Sequence, residues 1–454
     1  TMAAGAAEAP FLLTTGFDPH GFLEDVKAAR DAVGEPAEAD ARHLEGIVSF
    51  AAIAGCLGHV LVFIGTAFPF GTLPALACLA GALGICAARS LRWTTIGHHV
   101  CHGGFDRLQQ KHPGMLPTQY KRGVFATGAR RFIDWLDWML PDAWDVEHNK
   151  LHHYFLSEDK DPDLVERNFE MLRDMQLPVW LKYAAMLPWF ATWKAGYYSP
   201  NTFKELELSR EASMASRCWP QSHDRADPLT VIWLSMAPGI CLSGGHVQDA
   251  CFWLAFALQW LAMVMPMAFM MVAPGAAPLT LAALGMWPFE LAWQRAAWKA
   301  AAVGVVADAL TNIHTFVIIA CNHSGGDMYR YSTSCKAYSA EWFLRCAYSS
   351  VNFETGNDLI DGVYGWLNYQ IEHHMFPDMT PLQYRKLQPL IRSVCKKHGV
   401  QYVQQNAIYR CWKMLRVAVG DDSMKCCKTI IDPTLHEKPL TRQSNEVTDA
   451  AIGS

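Results

Sequence analysis

Long uncharged runs in the sequence predict helices that cross a membrane. Ile47 to Phe68 contains no charged residue over 22 positions, and Gly71 to Ala88 contains none over 18. Both lengths approach the roughly 20 residues that a helix needs to cross a hydrocarbon layer about 30 Å thick. The segment between the runs, Pro69-Phe70-Gly71, predicts a tight reversal. The pattern therefore indicates a helical hairpin that returns the chain to the side from which it started.

Further apolar stretches lie between residues 229 and 321. Two are long enough to cross the membrane and two are marginal. In chain order they are Leu229 to Ser243, Cys251 to Pro274, Leu279 to Trp293 and Ala300 to Cys321. An even number of crossings brings the polar segments on both sides of this region to one face. We predict an all-α integral membrane protein with about four transmembrane helices and a helical cap that faces the cytosol or the stroma.

The polar ends of the chain contrast with this apolar centre. Residues 1–45 predict a water-exposed lead-in with one short helix from Phe22 to Asp31, and residues 46–420 predict a single membrane domain. Residues 421–454 predict a disordered tail, because their composition is largely polar. The lead-in has no basic segment of the kind that opens a secretory signal. We therefore expect the first membrane helix to direct insertion.

Composition and charge exclude some classes of function. The net charge is −5, and residues 1–45 alone carry nine acidic and three basic side chains. The remainder of the chain is thus near neutral or slightly basic. It contains no stripe of basic residues interleaved with aromatic residues, the pattern that would indicate nucleic-acid binding. The 14 cysteines include no CxxC pair. This usage favours reduced thiols over a disulfide framework.

Polar clusters rich in histidine interrupt the apolar pattern at three places. The first contains His98 and His102, and the second contains His148, His152 and His153. On an α-helix, side chains four residues apart share a face. His98 with His102, and His148 with His152, can therefore each direct two imidazoles at one point. The third cluster runs Gln370-Ile371-Glu372-His373-His374, and His323 follows the last apolar run.

The number of histidines narrows the choice of metal. Neutral imidazoles suit iron, zinc, copper and nickel, and zinc needs only three or four ligands. Eight histidines on one face fit two metals better, and iron can activate dioxygen. His99 and His314 lie near these clusters without the right spacing. Other histidines are predicted at the surface: His20, His43, His223, His246, His398 and His436.

The spacings HxxxH, HxxxHH and QxxHH resemble those of the membrane fatty acid desaturase family. The segment from Gly365 to Pro377, continued by residues 381–387 and 395–400, is especially similar to front-end desaturases and their sphingolipid-active relatives. In that group a glutamine replaces the first histidine of the third cluster, as Gln370 does here. The resemblance implies two iron ions in the cap. Its expected metal site comprises His98, His102, His148, His152, His153, His323, Gln370, His373 and His374.

The resemblance also implies the reaction and the partners. It implies an oxygen-dependent desaturase that introduces a double bond into a fatty acyl chain, with electrons from cytochrome b5 or ferredoxin. The expected location is the endoplasmic reticulum or a chloroplast membrane. Residues 1–45 contain no cytochrome b5-like domain, so we expect a separate donor. We expect Gln370 to act beside the metals without being a strong ligand.

Other functions are compatible with parts of this pattern. Related di-iron sites hydroxylate or ketolate lipids, and the clusters alone do not distinguish these outcomes. A zinc-dependent membrane lipid hydrolase would use fewer histidines. A haem-binding membrane subunit would place histidine pairs inside opposing spans. Product analysis, metal analysis and an absorption spectrum separate these alternatives.

Overall fold

The structure, a computed structural model, describes residues 11–13, 16–135, 137–215 and 290–437, with some residues between 257 and 283. The predicted stretch Leu229 to Ser243 lies outside the described residues, as do His223 and His246. Helices α1 to α9 are Pro19–Val33, Glu38–Ala67, Thr72–Ser90, His98–Cys101, Asp106–Lys111, Arg131–Asp134, Pro141–Trp144, Val165–Asn168 and Glu170–Asp174. Helices α10 to α18 are Val179–Trp193, Ser199–Ala215, Met267–Ala277, Glu290–Ile319, Ala340–Tyr348, Asp358–Val363, Gln370–Met375, Pro381–His398 and Ala407–Ala418.

Other short elements complete the described chain. Strands β1, Tyr329–Tyr331, and β2, Lys425–Cys427, pair in parallel, which the prediction of an all-α fold did not include. Segments with π-helical geometry are Leu91–Gly97, Asp145–His152 and Lys194–Tyr198. Segments with 3-10 geometry are Thr118–Tyr120, Gly128–Arg130, Ala320–Asn322 and Pro433–Glu437.

Three helical stretches of the described chain are long and apolar enough to cross a membrane. They are Glu38–Ala67, Thr72–Cys101 and Gln294–Asn322, of 30, 30 and 29 residues. The first two confirm the predicted hairpin. The shorter apolar helix α12 overlaps the end of the predicted stretch from Cys251 to Pro274 and extends to Ala277. A fourth crossing therefore stays a prediction.

Small residues let the two helices of the hairpin approach closely. A Cβ atom added to Gly81 would lie 2.8 Å from the carbonyl oxygen of Gly58, and one added to Gly58 would lie 2.9 Å from that of Gly81. Without a hydrophobic driving force between helices in lipid, close packing of this kind is a main source of association. The outer faces remain apolar and exposed, as Phe50 and Leu76 illustrate.

Buried ion pairs hold the cap on the membrane helices. Arg89 of α3 lies 3.3 Å from Asp308 of α13, and Lys194 pairs with Asp137. All four side chains are at least nine-tenths buried. The Lys194 ammonium also lies 4.2 Å from the ring centroid of Trp93. Trp138, next to Asp137, donates to Asp308 at 3.2 Å. The two ion pairs are therefore connected and join α3 and α13 to the segments that contain Asp137 and Lys194.

The N-terminal lead-in is more closely packed than predicted. Helix α1 contains the expected segment, and it begins where Asp18 caps the backbone N–H of His20. Its residues Phe22 and Val26 are fully buried in a cluster shared with α17. Apolar side chains at positions four apart form this face. The lead-in is therefore part of the cap.

The prediction of a disordered tail from Asp421 onward is wrong for residues 421–437. Strand β2 pairs with β1, and Ile430 and Ile431 are buried. The carboxylate of Glu341 accepts hydrogen bonds from the backbone N–H groups of both isoleucines, at 2.8 and 2.9 Å. These apolar side chains bury enough surface to order the segment. Residues 438–454 lie outside the described chain, so disorder there stays a prediction.

Candidate metal centre

The first histidine cluster continues the second membrane helix. Helix α3 passes through the π-helical segment Leu91–Gly97 into α4, and His98 and His102 follow on one face. Their ring centroids lie 4.8 Å apart, as the spacing of four predicted. His99 points away, and its Nδ1 bonds the carbonyl oxygen of Thr95 at 2.7 Å. His98 and His102 therefore remain as paired ligand candidates, whereas His99 is directed elsewhere.

The second cluster differs from an α-helix in a way that changes its geometry. Asp145–His152 is π-helical, and the backbone N–H of His153 bonds the carbonyl of His148 at 3.1 Å. Bonds from i to i+5 bring residues five apart onto one face. The Nε2 atoms of His148 and His153 thus lie 3.2 Å apart. His148 and His152 also meet, in a group of potential ligands that includes Asp163. His152 has further neighbours in His323 and His374.

The third cluster occupies the short helix α16, which the surrounding chain anchors firmly. Glu372 is fully buried and accepts hydrogen bonds from Asn352 at 2.7 Å and Tyr402 at 2.8 Å. Asn352 also accepts from the backbone N–H of Ile371 at 2.9 Å. Glu372 and Ile371 therefore point away from the metal candidates, which leaves His373 and His374 facing the other clusters.

The imidazoles from all clusters converge as two adjacent groups. The potential ligand atoms within each group lie within 4.8 Å of one another. His153 lies between the groups: its ring stacks on that of His374 at 4.3 Å and its Nε2 faces His148. The first group is His98, His102, His148 and His373, and the second is His152, His323 and His374. A third set of potential ligands, His148, His152 and Asp163, overlaps both groups.

The nitrogen distances fit shared metal ions. Nε2 of His98 lies 2.9 Å from Nε2 of His373, and Nε2 of His323 lies 3.2 Å from that of His374. Two imidazole nitrogens that each lie about 2.1 Å from one ion are roughly 3.0 Å apart at a right angle. Buried Nε2 of His102 has no hydrogen-bond partner among the described residues. The donor set therefore suits two metals with nitrogen ligands.

Hydrogen bonds on the outer ring nitrogens orient several ligands. Nδ1 of His152 bonds Asp161 at 2.9 Å, and Nδ1 of His323 bonds the carbonyl oxygen of Ser349 at 3.1 Å. A carboxylate or carbonyl oxygen only accepts here, so each Nδ1 carries the proton and each Nε2 keeps its lone pair. This is the tautomer that a metal ligand needs.

Burial keeps most of these histidines neutral. It lowers the pKa of His102, His148, His153, His373 and His374 well below the usual value, and neighbouring imidazoles add to the effect. Burial lowers the pKa of His323 to about 3. A neutral imidazole is the form that binds metal.

His152 is the exception among the ligand candidates. Burial opposes its charged form, but the charge and hydrogen bond of Asp161 outweigh burial and raise the pKa of His152. A carboxylate on the outer nitrogen also increases the basicity of the inner one. Asp161 further accepts the backbone N–H of Ser157 at 2.7 Å, so its position is fixed.

Gln370 lies at the edge of the second group. Its amide nitrogen is 2.9 Å from Nε2 of His323 and 3.3 Å from Nε2 of His374. Its Oε1 is buried without a hydrogen-bond partner among the described residues. The side chain thus reaches the same space as the histidines. Its expected role beside the metals stays a prediction.

Two cavities of different character border the centre. A narrow apolar cavity of about 60 Å³ lies beside residues of α10 and α13. Its walls include His98, His148, His152, Trp189, Trp193, Tyr197, Phe316, Ile319, His323, Gln370 and Met414. A wider cleft of about 530 Å³ is lined by His102 and His153 and by a mixture of charged and aromatic side chains, which include Lys27, Arg30, Asp31, Arg122, Asp378, Tyr154, Trp342 and Phe343. The centre therefore borders an apolar cavity and a wider cleft with charged groups.

The sequence pattern missed several carboxylates. Asp163 lines the cavity near His148 and His152. Glu147 is fully buried, accepts a hydrogen bond from Tyr198 at 3.1 Å, and has its pKa raised by burial and by neighbouring Asp163. The acidic residues directly beside the second cluster were the available signal. Glu147 lies within the second cluster itself, whereas Asp163 approaches the site through the turn after His153.

Histidines predicted at the surface follow varied patterns. His20 is exposed, whereas His43 is partly buried beside Trp366, with ring centroids 4.5 Å apart. His398 is partly buried, and its Nε2 lies 2.6 Å from Asp25. His314, which was predicted to lie near the clusters and not at the surface, bonds the Ser90 hydroxyl and the carbonyl oxygen of Val363. None of these four belongs to either group of ligand candidates.

Comparison with known proteins agrees with this geometry. Short segments match a fatty acid desaturase 2-like protein of Mus musculus, with 54% identity over 41 residues (9% of this chain and 8% of the relative). Fatty acid desaturase 3 of Bos taurus is 51% identical over 43 residues (10% of each). The sn-1 linoleoyl-lipid 6-desaturase of Arthrospira platensis is 33% identical over 69 residues (15% of this chain and 19% of the relative).

These alignments span less than a fifth of each curated relative. No solved structure matches the chain. The sequence model described as "Fatty acid desaturase" matches residues 70–406, which is well over half of the chain and includes every histidine of the two groups. The resemblance found from the histidine spacing is thereby confirmed, and this protein belongs to the fatty acid desaturase family.

Proposed function

We propose that the protein is an oxygen-dependent fatty acyl desaturase with a histidine-coordinated di-iron centre. One observation carries this proposal: two adjacent groups of buried imidazoles lie at the end of an apolar cavity. Iron ions bound there would supply the activation of dioxygen that removal of two hydrogens from an acyl chain requires. Nitrogen-rich ligation by this many histidines suits iron and exceeds what one zinc ion uses.

The chain's own residues would position the substrate. Trp189, Phe316 and Ile319 form an apolar wall that favours a hydrocarbon chain over water. His98, His148 and His152 line the same cavity, so an acyl carbon in it would lie beside the ligand candidates. Holding one carbon near the oxidising centre is the geometric requirement for attack on an unactivated C–H bond.

The wider cleft suits a different part of the reaction. His102 and His153 line this cleft, whereas His98, His148 and His152 line the apolar cavity. Electrons from a separate cytochrome b5 or ferredoxin would reach the centre here without crossing the hydrocarbon path. The location we propose is the endoplasmic reticulum, with a chloroplast membrane as the alternative.

Expression in a yeast that lacks most desaturases provides the test. Purified protein should contain about two iron atoms per chain, the number that eight or nine ligands support, and lipid extracts should contain a new unsaturated acyl chain. A hydroxylated or ketolated acyl product would assign the related activity instead. One zinc atom with free fatty acid release would assign a hydrolase.

Single substitutions sharpen this test. Alanine at any of five positions should abolish turnover, because loss of one imidazole changes both coordination and redox behaviour: His148, His152, His153, His373 and His374. His20→Ala is the matched control, since His20 is exposed. Near-normal activity and iron content in His373→Ala would refute the metal assignment.

A further inference from the structure

Tyr384 connects α17 to the metal centre. Its side chain is fully buried, and its hydroxyl oxygen lies 3.1 Å from Nδ1 of His373. The same hydroxyl lies 2.9 Å from the carbonyl oxygen of Phe376. Tyr384 belongs to the helix that follows the third histidine cluster, and it is not itself a metal-ligand candidate.

Proton counting fixes the direction of both hydrogen bonds. A tyrosine hydroxyl has one proton to donate. The Phe376 carbonyl oxygen can only accept, so that proton points to Phe376. The hydroxyl oxygen must then accept from His373, which places the imidazole proton on Nδ1. His373 is therefore held as the tautomer whose Nε2 lone pair faces His98 at 2.9 Å.

The hydrogen bonds on Nδ1 of other ligand candidates use different acceptors. Nδ1 of His152 donates to a carboxylate and Nδ1 of His323 donates to a backbone carbonyl. Neither acceptor carries a proton, so it accepts regardless of its other contacts. The His373 contact depends on a hydroxyl whose own proton is directed by Phe376. Nδ1 of His148, His153 and His374 has no hydrogen-bond partner among the described residues. In the first group, Tyr384 thus supplies the hydrogen bond on the outer nitrogen of His373.

We propose that Tyr384 is a positioning residue, whose hydroxyl fixes the tautomer and orientation of His373 as an iron ligand. This inference rests on the proposed function. A purely structural role would arise from the ring alone, which packs in the core around α17. Tyr384→Phe keeps that ring and removes only the hydroxyl, so the two roles separate experimentally.

The experiment measures iron retention by the full-length holoprotein in detergent. A ferrous chelator is added, and the rate of Fe²⁺ loss is followed by absorbance. Tyr384→Phe should lose iron faster than wild type, because removal of the outer hydrogen bond of a metal-bound histidine weakens metal affinity roughly 10–100-fold. Its kcat should fall while KM for the acyl substrate stays unchanged.

Tyr348→Phe is the matched control. Tyr348 is also buried, in the same core cluster as Tyr384, and its ring contacts that of Tyr329 at a centroid distance of 5.7 Å. Equal iron loss in both variants, with wild type holding iron and forming the unsaturated product, would overturn the Tyr384 assignment and leave the proposed function intact. Absence of iron from all three proteins would overturn both.

Discussion

At the scale of single residues, an unusual backbone turn connects the first and third clusters. Gly365 and Trp366 both have positive φ, at 60° and 59°, directly before the third cluster. A Cβ atom added to Gly365 would lie 2.4 Å from Oγ1 of Thr94, four residues before His98. The close approach of these two segments therefore requires glycine at position 365.

Gly365→Ala should destabilise the protein and loosen the metal centre. The left-handed conformation alone costs roughly 1–3 kcal/mol for a residue with a side chain, and the contact with Thr94 adds to it. Thermal unfolding and iron analysis of the purified protein measure both effects. Gly362→Ala is the control, because it has a helical setting and no heavy atom lies within 4 Å of the added Cβ. Equal stability of the two variants would contradict the prediction.

Gln370 offers a second residue-scale prediction. An amide binds iron more weakly than an imidazole but can hold a bound water. Gln370→Ala should therefore reduce turnover more than iron content. Metal analysis and product formation on the same preparation test this expectation. Parallel loss of iron and activity would point to direct ligation by Gln370.

At the scale of elements, the pair formed by Arg89 and Asp308 joins α3 to α13. Arg89→Met should lower the free energy of unfolding by about 3 kcal/mol, because it leaves a buried carboxylate without its cation. Asp308 would keep only the neutral donors Trp138 and Asn312, at 3.2 and 3.0 Å. Denaturation in detergent, followed by fluorescence, measures the change.

The double variant Arg89→Met with Asp308→Asn tests the cause. Asparagine is neutral and can still accept from Trp138, so most of the lost stability should return. The Asp308→Asn single variant completes the comparison. If the loss of stability in the double variant equals the sum of the losses in the two single variants, the charges do not interact.

At the scale of the whole molecule, the two ends of the described chain meet. The backbone N–H groups of Leu12 and Leu13 bond the carbonyl oxygen of Ile430, at 3.0 and 2.7 Å, and α1 packs on α17. Segments in direct contact lie on one side of a membrane. The N-terminal helix, the histidine clusters and residues 421–437 should therefore face one compartment, the cytosol or the stroma.

Tags at the two ends should show the same protease accessibility in sealed microsomes. Equal accessibility of the two ends requires an even number of membrane crossings. Since the described chain has three candidate spans, this result would indicate at least one further crossing. Positive residues such as Arg92 and Lys121 on this face agree with the usual bias of cytoplasmic segments. Opposite accessibility of the two tags would be incompatible with a shared metal centre.

The sequence alone determined the membrane hairpin and the metal-ligand candidates, because hydrophobic length and histidine spacing are local properties of the chain. His98 and His102 share a face for this reason. Tertiary structure decided which neighbours the second cluster meets: its π-helical backbone brings His148 next to His153, and packing of the cap places His323 beside His152. It also brought Tyr384 and Asp161 to the outer nitrogens of their histidines and buried the N-terminal helix against α17. These contacts join residues whose positions depend on packing of the whole cap, and no local pattern specifies them.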